Sequence, residues 1–268
     1  MIRTAWSFLV RDFLVTVSYR AAFALQLIGM LFSIAVFFYM GVAVGETTAG
    51  SIQHYGGSYF AFLIIGTAFA DYLQNSFQTF STSIREGQMI GTLEMLLASP
   101  LRPSVIILSS SLWSYLYASL RIGIILALAV LLFDLDLGRA NWTAATCVLA
   151  LSIAYLMGLG IMMAGLVLVM KQERVVTSVI VFSSVLLGGV AFPVDVLPSW
   201  LRFVAELLPF THSVTGLRRS LLLGESWSDL APVLLTLLAF AVVLFPLGLA
   251  TFNLCLNRVK VTGTLGHY

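Results

Sequence analysis

Six long apolar runs dominate the chain, at 21–44, 57–80, 105–133, 142–170, 175–192 and 230–256. A helix needs about 20 apolar residues to cross the roughly 30 Å of hydrocarbon in a bilayer. Lipid offers the backbone no hydrogen bonds, so a crossing segment must be a helix or part of a closed barrel. Barrel strands alternate apolar and polar residues over segments of about ten; these runs are continuous. The pattern predicts an all-α polytopic membrane protein with six transmembrane helices. The fifth run is short and the third and fourth are long, so their ends are loosely defined. Composition agrees, with 60% hydrophobic and 10% charged residues in 268, against about 25% charged in a soluble domain. Six spans leave no room for a separate soluble domain. The net charge of +2 is small and no basic block points to nucleic acid. Cys147 and Cys255 fall in apolar runs without metal or redox spacing and read as packing residues.

Lys and Arg orient the spans. Arg3, Arg11, Arg20, Arg85, Arg102, Lys171, Arg174, Arg258 and Lys260 would share one side, and Arg139, Arg202, Arg218 and Arg219 the other. Nine against four places both termini in the cytoplasm of a multi-pass protein in a bacterial-type plasma (inner) membrane. The first outside loop, 45–56, carries no Lys or Arg, which agrees. Residues 1–20 lack the compact apolar core of a cleavable signal. Thr4, Ser7, Arg11 and Ser18 share one helical face and Trp6, Phe13 and Val17 lie opposite. That pattern suits an amphipathic helix in the cytoplasmic interface, or a plain extension of the first span. The domain layout is then an interfacial helix at 1–20, a membrane domain at 21–256 and a cytoplasmic tail at 257–268.

Two charges sit inside spans, Asp71 in the second and Arg121 in the third. Such residues are costly in lipid and usually face the bundle interior or water. They pair only if the third span begins later than Val105; a substrate-path role and shifted span ends are the other readings. Aromatics crowd the second span, among them Tyr59, Phe60, Phe62, Phe69, Tyr72, Phe77 and Phe80, followed by Trp113, Tyr115 and Tyr117. Phe69 and Tyr72 lie mid-span and are candidates to line a path with Asp71 and Arg121; packing is the plainer reading. Gly158, Gly160, Ala164 and Gly165 form a small-residue face in the fourth span that permits close helix packing. Pro246 is expected to kink the sixth helix.

The outer segment 193–226 is far from polar. Val196, Trp200, Leu201, Val204, Leu207 and Leu208 recur at helical spacing, and Arg202 and Glu206 are four apart on another face. A second apolar run follows Pro209. Neither half is long enough to cross, so the segment reads as a re-entrant or interfacial helix pair. His54, His212 and His267 are isolated, and Asn141-Trp142-Thr143 is a glycosylation sequon only in form.

The chain has no GxxxxGK[ST] sequence, and its only lysines are Lys171 and Lys260. It therefore has no phosphate-binding loop of its own. No GxSxG, HExxH or EF-hand pattern occurs either. No catalytic, cofactor or metal residues are assigned, and the chain is read as a transport subunit rather than an enzyme.

Between the second and third spans stands Arg85-Glu86, then Gly91-Thr92-Leu93-Glu94-x-Leu96-Leu97-x-Ser99-Pro100. This run resembles the cytoplasmic loop of type-2 ABC transporter permeases. Phe192-Pro193-x3-Leu197-Pro198-x-Trp200-Leu201 and Leu208-Pro209-x-Thr211-x5-Leu217-Arg218 resemble the segment before the last span of the same family. The resemblance covers nearly the whole chain. It implies that 85–100 is a coupling helix docking on a separate ABC ATPase subunit, which would carry ATP and Mg. Arg85, Glu86, Gly91, Thr92, Leu93, Glu94, Leu96, Leu97, Ser99 and Pro100 would form that contact. It implies a second copy of the permease, and an outer gate that includes Phe192, Pro193, Trp200 and Pro209. The loop is closest to the drug and lipo-oligosaccharide exporter branch, so the expected cargo is an amphipathic or hydrophobic drug, lipid or lipo-oligosaccharide. A polysaccharide or glycolipid exporter is the alternative within the family, and a motor-free secondary transporter lies outside it.

Overall fold

The computed structural model describes residues 2–18, 20–52, 58–89, 103–169 and 173–262. The chain folds as α1 (Ile2–Ser18), α2 (Arg20–Ile52), α3 (Tyr59–Met89), α4 (Pro103–Phe133), α5 (Trp142–Val169), α6 (Glu173–Leu187), α7 (Ser199–Leu207), α8 (Pro209–Leu221) and α9 (Trp227–Thr262), with a 3₁₀ turn at Val194–Val196. The protein is an all-helical polytopic membrane protein, and no strand occurs among the described residues. Among the described residues, four helices contain stretches long and apolar enough to cross a membrane: Phe23–Val44, Ser111–Phe133, Trp142–Leu168 and Trp227–Val259. The second and fifth runs differ from these. α3, at 31 residues, is long enough but interrupts its apolar face with Thr67, Asp71, Asn75, Ser76 and Thr79. α6 has 15 residues, about 22 Å of helix.

The tightest packing is between α5 and α9. A Cβ on Gly248 would collide with the carbonyl oxygen of Gly158, and one on Gly158 with that of Leu244. Gly165 meets Phe252 further along the same seam. The predicted small-residue face therefore divides. Gly158 and Gly165, seven apart, turn to α9; Gly160 turns to α3, where a Cβ would strike the Phe80 ring. At 3.6 residues per turn, positions 158 and 165 coincide on the helix and 160 lies well round it. Pro232 and Pro246 both lie inside α9, and Pro246 falls beside the Gly158–Gly248 crossing.

Polar caps fix the ends of this unit. Asn141, just before α5, accepts from the Ala144 N–H at 3.1 Å and donates to the Glu225 carbonyl at 2.9 Å, the usual geometry of an N-cap. Ser226 donates to the Asp229 carboxylate at 2.6 Å in the first turn of α9, where the helix dipole favours an acid. α8 starts with Pro209 in its first turn, a position that needs no donor. It is buried against α3, α5 and α9 through Phe210, Val214 and Leu217. Ser213 accepts from Ser152 at 2.7 Å and lies 2.9 Å from the Tyr155 hydroxyl, fastening α8 to α5. α1 runs along α4, with Phe13 packed edge-on against Trp113 at 5.4 Å. Its Trp6 and Leu14 stay exposed.

Candidate functional site

A groove of about 500 Å³ lies between α2, α3, α4 and the end of α6. Its walls combine apolar residues, with Met30, Ile34 and Phe37 from α2, Ile125 from α4, and Val185 and Val190 around the end of α6, with the polar Gln26, Ser33 and Thr67. Asp71 and Arg121 are the charged residues among the described lining. Arg121 Nη2 donates to Asp71 Oδ2 at 2.6 Å, with side chains 33% and 51% exposed. The two charges therefore pair, one of the readings the sequence left open, with α4 helical from Pro103. Arg121 is eighteen residues from Pro103 and twelve from Phe133, about 27 Å and 18 Å along the helix.

A smaller pocket of about 90 Å³ continues from the groove past Tyr72, Asn75 and Tyr117. Tyr117 donates to the Gln26 side-chain oxygen, tying α4 to α2. Asn75 donates to the Ser114 carbonyl at 3.4 Å, and the Tyr72 hydroxyl reaches the Tyr115 carbonyl at 3.2 Å. The Arg121 Nε is buried and has no hydrogen-bond partner.

Of the four path residues, Asp71 and Arg121 line the groove and Tyr72 lines its smaller continuation. Phe69 is elsewhere. It is fully buried and stacks between Tyr72 at 6.0 Å and Phe210 of α8 at 5.4 Å. Most of the other α3 aromatics are also core: Tyr59, Phe60, Phe62, Phe77 and Phe80 are all buried. Tyr115 joins the same group, 5.8 Å from Tyr72 and 6.2 Å from Phe80. A file of rings thus runs from α8 to the C-terminal half of α3.

The segment after α6 is held by side chains. Arg218 of α8, counted from sequence among the outer-side charges, is 2% exposed. Its Nη1 donates to the Gly189 carbonyl at 2.6 Å and its Nη2 to the Val190 carbonyl at 2.9 Å. Nε and Nη2 also reach the Phe62 carbonyl at 3.2 and 2.8 Å, and the guanidinium lies 3.3 Å over the Phe62 ring. Tyr59 donates to the next carbonyl, Ala191, at 3.0 Å. Gly189 adopts φ of +76°, where a side chain is strained. Gly66 leaves the space for the guanidinium, since a Cβ there would come within 2.5 Å of Nη2. Removing Arg218 from the outer count makes the Lys/Arg asymmetry steeper.

The outer-gate residues follow this turn. Pro193 is buried and Phe192 partly so; Pro209 opens α8. Trp200 is 68% exposed. The apolar stripe of α7 points away from the bundle at Trp200, Val204 and Leu207, and only Ala205 is buried. On the polar face Arg202 bonds Glu206 at 2.9 Å and Asp195 at 3.0 Å. The Glu206 hydrogen bond and the Asp195 charge raise the Arg202 pKa. Of the predicted coupling residues, Arg85 and Glu86 fall in the last turns of α3. Gly91, Thr92, Leu93, Glu94, Leu96, Leu97, Ser99 and Pro100 lie outside the described residues. Among the described residues no group of three or more His, Cys, Asp or Glu is placed to hold a metal.

Sequence patterning does not single out Gln26, Gly189 or the burial of Arg218. The available signal was a glutamine inside an otherwise apolar span, and an arginine inside the family-like run that begins at Leu208-Pro209.

Comparison with known proteins gives a family and two relatives. The profile of the ABC-2 type transporter family matches residues 4–222. The chain is 28% identical over 130 residues to the linearmycin resistance permease protein LnrN of Bacillus subtilis (strain 168), covering 48% of this chain and 33% of that protein. It is 25% identical over 161 residues to the probable multidrug ABC transporter permease YbhR of Escherichia coli (strain K12), covering 58% of this chain and 43% of that protein. The chain thus matches less than half the length of either relative.

Proposed function

Because the chain belongs to the ABC-2 type transporter family, we propose that it is the transmembrane subunit of an ATP-driven exporter of amphipathic or hydrophobic compounds. Two copies stand together in a plasma (inner) membrane with both termini in the cytoplasm, and each engages a separate ABC ATPase through 85–100. α2, α3, α4, α5, α6 and α9 are the six spans, and α7 and α8 form the outer re-entrant pair. Cargo enters from the cytoplasm or the inner leaflet and leaves past Phe192, Pro193, Trp200 and Pro209. ATP binding by the partner shifts the balance between two arrangements of the spans, which requires cargo and motor to favour different states.

The observation that carries this reading is the groove. It combines apolar and polar walls with one half-exposed ion pair, the environment an amphipath needs. The drug-directed names of the two relatives support the same cargo class. A sugar polymer is less well served, because the α3 aromatics are buried among themselves and offer no stacking face. A motor-free transporter is disfavoured by the family.

The test is co-expression with a candidate ABC ATPase, followed by co-purification and ATPase assay in proteoliposomes. The intact pair is expected to co-purify and to hydrolyse ATP faster with cargo present. Glu94→Ala with Leu97→Ala is expected to lower coupled turnover about tenfold or more while the permease still inserts, as loss of a central contact of 2 kcal/mol or so predicts. Unchanged assembly and turnover in that variant would remove the coupling assignment.

A further inference from the structure

We propose that the Asp71–Arg121 pair selects amphipaths whose head group is zwitterionic, with the cation seated on Asp71 and the anion on Arg121. The proposal deepens the cargo reading and rests on it for what becomes of the bound molecule; the binding step stands alone.

The argument starts from where the charges are. The pair lies well inside α3 and α4, opens into the groove, and is half exposed on the Asp71 side. An ion there without a partner is expensive. A ligand with one charge can engage Asp71 or Arg121, but in doing so it draws that residue from its partner and strands the other. A neutral head group gains nothing that the existing pair does not already hold. A zwitterion replaces one ion pair by two and leaves no charge alone.

The surroundings fit such an exchange. Arg121 makes its pair through Nη2, and its buried Nε is unpartnered. A guanidinium that swings toward an anionic oxygen therefore gives up no hydrogen bond at Nε. Gln26 and Asn75 stand in the continuation of the groove, within the polar floor a head group would meet. The walls of Met30, Ile34, Phe37 and Ile125 suit the attached chain. The volume of about 500 Å³ holds a head group and part of a chain, within the usual range of ligand sites.

The experiment is native mass spectrometry of the full chain in detergent, without the ATPase. It is titrated with lipids of matched acyl chains: phosphatidylethanolamine, anionic phosphatidylglycerol and a cationic trimethylammonium lipid. A single-chain phosphocholine amphipath forms a fourth arm. Wild type is expected to retain the zwitterion about tenfold better than either singly charged lipid. Asp71→Asn is expected to turn the preference to the anionic lipid, and Arg121→Gln to the cationic one. The exchange Asp71→Arg with Arg121→Asp restores the pair and should restore the zwitterion preference, which keeps the test open if a single variant folds poorly. Retention of the single-chain zwitterion as well points to cargo, whereas retention of the two-chain lipid alone points to a resident bilayer lipid. The same ranking of the three charge classes in wild type and both single variants would overturn the proposal. That failure would leave the exporter reading intact, since the latter is judged by ATPase coupling.

Discussion

Where α5 crosses α9, backbone meets backbone through Gly158 and Gly248. Where α2 faces α4 across α3, a groove of about 500 Å³ is left open and an ion pair stands in it. One side of the molecule is packed so closely that a methyl group does not fit; the other keeps space and polarity in a setting where both are costly. The difference separates a frame, whose residues set stability, from a moving or binding face, whose residues set what the protein does. α3 belongs to both, through its buried rings on one side and Asp71 on the other.

The comparison can be broken by substitutions whose expected effects fall in order. Arg218→Met should be the most damaging. It leaves the Gly189 and Val190 carbonyls without the Arg218 donors and removes the guanidinium from the Phe62 ring, and at about 1–3 kcal/mol for each unsatisfied group the loss should total roughly 3 kcal/mol or more. Lower yield of monodisperse protein and a reduced melting temperature would register it; a wild-type melting curve would remove Arg218 from the frame. Next comes Gly248→Leu, which forces a side chain into the α5–α9 crossing and should cost about 3 kcal/mol by overpacking, read in the same thermal assay. Gly189→Ala should cost roughly 1–2 kcal/mol from the positive φ alone. Asp71→Asn should change the melting temperature least among these, because the pair is half exposed, while altering cargo-stimulated ATPase activity several-fold. If it instead unfolded the protein with activity per folded molecule unchanged, the groove would have to be assigned to the frame. At the far end of the scale, Trp200→Ser should shift stability by no more than about 0.5 kcal/mol.

Much of the fold was legible because it depends on local pattern. Four apolar runs became membrane-length helices, Arg202 and Glu206 met at their four-residue spacing, and the outer segment became two short helices separated at Leu208. The ion pair was one of several readings the sequence left open, and the packing of α3 on α4 brings the two charges together. What sequence pattern does not carry is which distant backbone a side chain meets. Arg218 reaches a carbonyl 156 positions earlier, and nothing in the residues around it separates an outer-loop cation from a buried clamp. Gly160 differs from Gly158 only by its turn around α5, yet faces another helix. Phe69 lies two residues from Asp71 and so points off the groove into the core.

The clamp on the segment after α6 has a consequence for how that helix ends. At 15 residues, or about 22 Å, α6 falls short of the roughly 30 Å of hydrocarbon, so a chain crossing along it would leave helical geometry before the far surface. Non-helical backbone is tolerated at that depth only when protein supplies what water cannot. Here three consecutive carbonyls, of Gly189, Val190 and Ala191, are met by Arg218 and Tyr59. The two side chains act as a fixed substitute for solvent, and a span that begins with α6 can be completed by non-helical backbone without carrying its own hydration there.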